Sequence, residues 1–106
     1  MTTEDLRPED LSPLFIPLKT EFYRAFQDGT KLEEFRVNGP RWNLNTCQIG
    51  RRVTLSHGYS SAERMTGVIT GVRLIHDVAT LPGWAACYGS KPGPCIAIRI
   101  AIISLP

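Results

Sequence analysis

The chain lacks any C-x-x-C spacing and any close pair of histidines, and its three cysteines, Cys47, Cys87 and Cys95, are an odd number set far apart. No metal site, no thiolate-held cofactor and no disulfide framework is expected from such a pattern. No apolar run approaches the roughly 20 residues that span a bilayer, and no basic stretch leading into an apolar one opens the sequence. The expectation is a cytoplasmic protein with reduced thiols and no membrane partner. Charge of one sign is scarce too, with a formal net charge of only +2. Apolar residues at 42% and charged residues at 21% exclude a disordered or fibrous chain and leave an ordinary globular one.

What charge there is lies unevenly. Residues 1–11 hold Glu4, Asp5, Glu9 and Asp10 against Arg7 alone, which leaves eleven basic and six acidic residues, a formal +5, in the remainder. We read 1–11 as an acidic N-terminal tail or loosely docked arm without apolar periodicity, and 12–106 as a single domain. A basic body of this kind suits an anionic partner, and such a bias is also common on plain solvated surfaces.

The domain opens with Leu14, Phe15, Ile16 and Leu18, an apolar run whose Pro13 and Pro17 fit a short edge strand. Leu18, Phe22, Ala25 and Phe26 then repeat at helical spacing, predicting an amphipathic helix over 20–28 that Gly29 ends in a left-handed cap. Leu32 to Val37 alternates, with Glu34 and Arg36 on one face and Phe35 and Val37 on the other. Asn38, Gly39 and Pro40 turn the chain into an irregular segment over 41–47. Strands are predicted over 52–59 and 65–76, the second bent at Gly67 or Gly71. Residues 81–94, rich in glycine and proline, read as loop. In the last strand Ile96, Ile98, Ile100 and Ile102 point one way, and the small Cys95, Ala97 and Ala101 opposite them imply a crowded second face. About five strands, one early helix and no repeating βα unit make an α+β chain: a small mixed or antiparallel barrel with one or two packed helices.

The densest polar cluster is Gly29, Thr30, Lys31, Leu32, Glu33, Glu34, Phe35, Arg36. Here Lys31 follows the helix end while Glu34 and Arg36 share a strand face, so three ionisable groups converge. If that face is buried, each needs a partner; the two cations then offer donors to a phosphate or a base carbonyl. On spacing alone a solvated charged strand face is an equal reading.

The stretch from Phe15 to Arg36, with Ile16, Pro17, Leu18 and Lys19, then Phe22 and Tyr23, then Gly29, Lys31, Glu34 and Arg36, resembles the ASCH domain of the PUA-like superfamily. Its signature is G-x-K-x-x-E-x-R after an apolar-Pro-Leu-Lys strand. Looser agreement runs through Pro40, Arg41 and Trp42, the Gly58, Tyr59 pair and the closing Ile98, Arg99, Ile100. The resemblance implies a PUA-like β-barrel whose cleft binds RNA or reads a single base, with Lys19 at its mouth. Some small ASCH proteins hydrolyse N4-acetylcytidine with a lysine and a threonine of the octet and a distant glutamate. Lys31 matches that lysine, but Glu34 stands at the threonine position, and a carboxylate cannot replace a lysine-activated hydroxyl nucleophile without changing the mechanism. Glu34 would instead be a general base on water, making Lys31 and Glu34 the catalytic pair. Other ASCH proteins are ribonucleases, and the groups available for that chemistry are Lys31, Arg36 and Tyr23.

Trp42 beside Arg41 is a candidate platform for stacking a base, or else a cover for the barrel end; Trp84 has a weaker form of the same case. His57 and His76 are proton carriers by type and structural by default. Arg51 and Arg52 make a basic edge, and Tyr88, Ser90 and Lys91 a loop able to close over a ligand. The leading expectation is a module binding RNA or a modified nucleoside through Lys19, Tyr23, Lys31, Glu34, Arg36, Arg41 and Trp42. A small hydrolase centred on Lys31 and Glu34 is the alternative, and a protein-interaction module the third.

Overall fold

The alternating aliphatics of 14–18 form strand β1 (Leu14–Leu18), whose Leu14, Ile16 and Leu18 are buried. These assignments come from a computed structural model that describes residues 7–59 and 63–104. Of the expected acidic arm, Pro8–Asp10 form one 3-10 turn, with Pro8 close over Gly50, while residues 1–6 lie outside the described residues.

Helix α1 (Thr20–Asp28) follows at once and turns Tyr23 and Phe26 inward. Fully burying side chains of this size stabilises by about 1.5–3 kcal/mol each. Gly29 ends it at φ 84°, a left-handed conformation that costs glycine nothing. The reversed chain lets the amides of Thr30 and Lys31 both donate to the Ala25 carbonyl at 3.0 Å. Asp28 accepts from the Thr30 amide and hydroxyl, and those bonds hold its carboxyl below the usual range.

Three more strands and the short edge strand β2 (Glu33–Val37) complete one sheet: β3 (Arg52–His57), β4 (Arg64–Ile75) and β5 (Cys95–Ser104). Its order is β1-β3-β4-β5-β2, with β1 parallel to β3 and the other pairs antiparallel. The long β4 shifts register against β5 at Thr66/Gly67 and at Ile69/Gly71, the two glycines where a bend is expected, and such bulges let a sheet curl. The result is an α+β chain with a mixed five-stranded sheet curled into a half-barrel and two helices. Although β1 and β2 are both edges, Arg36 Nη2 of β2 donates to the Pro17 carbonyl of β1 at 2.7 Å. A side chain, rather than a ladder, bridges the gap between the edges.

Inside the curl lie Ile16, Val53, Leu55, Met65, Ile69, Ile96, Ile98 and Ile100, closed off by Tyr23 and Phe26. Cys95 and Ala97 are buried as well, so the second face of β5 is covered at its start, as the small residues imply. The segment expected as loop contains a short helix α2 (Trp84–Tyr88) between Gly83 and Gly89. Packing decides this: Trp84 is buried, its Nε1 donates to the Lys91 carbonyl at 3.0 Å, and its ring meets Tyr88 at 4.5 Å.

Candidate functional site

Antiparallel pairing sets Glu34 opposite Ile98 and Arg36 opposite Ile96, so both charged side chains share the face that β5 fills with isoleucine. Glu34 is 6% exposed. A carboxylate at that depth is retained only with partners, and it has two. Arg36 Nε donates to Oε2 at 2.8 Å and Nη2 lies at the same distance, while Lys31 Nζ stands 3.7 Å from Oε1. The Lys31 ammonium also lies within 5.5 Å of the ring centroids of Phe22, Phe26 and Phe35, a setting that replaces part of its hydration by ring quadrupoles. The octet thus builds one cluster because the glycine cap folds Lys31 back onto the strand that carries Glu34 and Arg36.

Above the cluster opens a cleft of about 380 Å³, walled by Pro17, Leu18 and Lys19 at the end of β1, Phe22 of α1, Glu34 and Arg36 of β2, Gly58 and Tyr59 after β3, and Cys87 and Tyr88 of α2. A smaller pocket of about 120 Å³ continues beneath α2 toward Lys31 and Trp84, and the two share Phe22, Glu34, Cys87 and Tyr88. Tyr59 is 79% exposed at the lip. Tyr88 donates its hydroxyl to the Phe35 carbonyl at 2.8 Å; burial pushes its pKa up to about 12 against the smaller opposing pull of Arg36. Among the described residues, Arg36 Nη1 and the Lys19 ammonium have no protein acceptor, and both residues line the cleft.

Of the seven residues expected to line a binding site, Lys19, Glu34 and Arg36 meet in the main cleft, and Lys31 stands in its smaller extension. Tyr23 does not join them. It is wholly buried in the core, stacked on His57 with ring centroids 5.3 Å apart, and its hydroxyl has no hydrogen-bond partner among the described residues. Burial, with Glu63 nearby, raises its pKa. Trp42 lies behind Arg36 rather than in the cleft, with the guanidiniums of Arg36 at 4.8 Å and Arg41 at 5.2 Å from its ring. Arg41 reaches away, toward the Phe15 carbonyl.

Of the wall residues outside the expected binding set, Cys87 carries no site signal in the sequence, while Phe22, which shares the helical periodicity of the core, and Tyr59 enter only through the resemblance. Only the run of Tyr88, Ser90 and Lys91 hints that this loop approaches a ligand. Among the described residues no cluster of three His, Cys, Asp or Glu side chains could hold a metal, and no helix is long and apolar enough to cross a membrane. A scan against protein-family models finds no match for this chain, and a search of curated proteins finds none.

Proposed function

We propose that this domain binds single-stranded RNA or one modified base of it, taking a flat heterocycle into the cleft above Glu34. The observation that carries the reading is the buried Lys31–Glu34–Arg36 cluster in a cleft wall. Buried ion pairs are poor stabilisers compared with well-packed aliphatics, so a cluster of charges among isoleucines at the mouth of a barrel argues for use by a ligand. Phe22 and the exposed Tyr59 supply apolar faces for a ring, Arg36 Nη1 and Lys19 supply donors for a base carbonyl or a phosphate, and Glu34 supplies an acceptor for an exocyclic amine. The resemblance to ASCH domains in the PUA-like superfamily points the same way, and the proposal includes a cytoplasmic setting.

Hydrolysis of an acylated nucleoside is the second reading, favoured by the 3.7 Å approach of Lys31 to Glu34. Against it, Glu34 Oε2 is engaged by the Arg36 fork, which suits an anchored counter-ion better than a base that must take a proton from water. A protein-interaction role would draw on Leu32 and Ile103, which are about half exposed on the groove at the far side of Lys31.

The test compares the wild type, Tyr59→Ala and the pair Lys31→Ala, Glu34→Gln against single-stranded RNA, N4-acetylcytidine and other acylated nucleosides, with binding titration and mass spectrometry. Salt-sensitive binding without turnover is expected, weakened by about 1–3 kcal/mol in Tyr59→Ala if that ring stacks a base. Turnover lost in the double variant would replace the binding reading with the hydrolase; no binding and no turnover would overturn both.

A further inference from the structure

Parallel pairing sets Leu18 of β1 beside His57 of β3, and the Gly58 amide donates to the Leu18 carbonyl at 3.0 Å. The first residue of α1, Thr20, is thereby brought against the last residue of β3. Thr20 Oγ1 lies 2.6 Å from His57 Nε2. On the other side of the ring, Nδ1 lies 3.3 Å from Glu63 Oε1, and the His57 amide donates to the Glu63 carbonyl at 3.1 Å, which fixes the two residues to each other. Glu63 is held in turn by both terminal nitrogens of Arg24, and those bonds keep its carboxyl below the usual range. Tyr23 stacks on the imidazole and limits its rotation.

Hydroxyl, imidazole and carboxylate in this order, the base oriented by a third group, form the arrangement that activates an alcohol as a nucleophile. The geometry points to a second site on this molecule: Thr20, His57 and Glu63 form an acyl-transfer centre for small carboxylic esters on the lip of the cleft. It stands apart from the base-binding reading, since it uses neither Lys31 nor Glu34. Thr20 is exposed and therefore reachable. Its neighbour Lys19, and Gly58 and Tyr59 beyond His57, line the 380 Å³ cleft, so the wall of the cleft begins one residue away from both Thr20 and His57. Thr20 also opens a nine-residue helix whose Phe22 and Tyr23 amides are taken by the Lys19 carbonyl, which leaves the amides of Thr20 and Glu21, beside the hydroxyl, as the helix-end donors for charge developing on a carbonyl oxygen.

In the reaction, Thr20 Oγ1 bonds to the ester carbonyl carbon as its proton passes to His57 Nε2. Collapse of the tetrahedral adduct breaks the bond to the alcohol oxygen, which leaves with that proton. Water then adds to the acyl-threonine and gives a proton to Nε2. The Thr20 ester bond breaks, Oγ1 recovers the proton, and the acid is released, so ester and water become acid and alcohol.

The experiment uses the full chain with p-nitrophenyl acetate, following nitrophenolate release and intact mass, with peptide mapping of any acetylated residue. Expected are turnover, an acetyl group on Thr20, a loss of about 10²–10⁴-fold in Thr20→Val and in His57→Gln, and retained turnover in Thr20→Ser. Because Glu63→Gln also breaks the pair with Arg24, the nearly isosteric exposed change Thr20→Val carries the decision, with its melting curve matched to the wild type. The proposal is overturned by an unchanged rate in Thr20→Val, by acetyl groups only on lysine or tyrosine, or by release no faster than free imidazole produces at the same concentration.

Discussion

Glu34 occupies a position in the curled sheet that the other strands give to isoleucine, leucine, valine and methionine, and its carboxylate survives there because Arg36 and Lys31 meet it from two sides. Tyr88, across the cleft, illustrates how the same wall handles an uncharged polar group: its hydroxyl is bonded to a backbone carbonyl and resists ionising. A phenol whose folded pKa of about 12 lies above its ordinary value of 10.0 contributes stability that is complete below about pH 10 and lost as the pH rises through 12. Melting temperatures measured across that interval should fall in the wild type and fall less in Tyr88→Phe, and ultraviolet titration of the variant should lack the component near pH 12. Tyr23, raised chiefly by burial, adds a loss of the same sign that Tyr88→Phe leaves in place.

At the scale of elements, β4 and β5 form the spine, and their packing depends on Gly67. A Cβ there would sit 2.7 Å from Ile100 Cγ2 and 2.9 Å from the Ala101 carbonyl. Gly67→Ala should therefore destabilise by about 1–3 kcal/mol, read as a lower urea midpoint with an unchanged slope, because the core can accept the methyl only by shifting a central strand. Helix α1 was legible in the sequence from end to end: its periodicity marks the buried side and Gly29 marks the stop. Helix α2 was not, since five residues between two glycines carry too little periodicity to register, and its stability comes from burying Trp84.

Over the whole molecule, the three thiols sort by position: Cys47 and Cys95 are wholly buried, whereas Cys87 is exposed on the cleft wall. Burial also raises the pKa of Cys95. Titration of the native protein with a maleimide should show one fast thiol and two that react only on unfolding, and a bulky label on Cys87 should abolish any ligand binding in the cleft. Three fast thiols would mean that the half-barrel opens readily.

Local pattern determined the α+β class, helix α1 with its cap, the edge position of the proline-bearing first strand, the bend in β4 and the joint face of Glu34 and Arg36, because each depends on residues a few positions apart. Tertiary structure alone decided that Tyr23 goes inward while Phe22 reaches the cleft, that Trp42 serves two arginines from behind, and that Tyr59, Cys87 and Tyr88 complete the wall. It also joined Thr20 to His57 and Glu63 across 37 and 6 positions of chain. The physical reason is common to all of these: periodicity reports which face of an element is apolar, whereas the meeting of two faces is set by parallel pairing, sheet curl and the docking of a connection, none of which a local run of residues encodes.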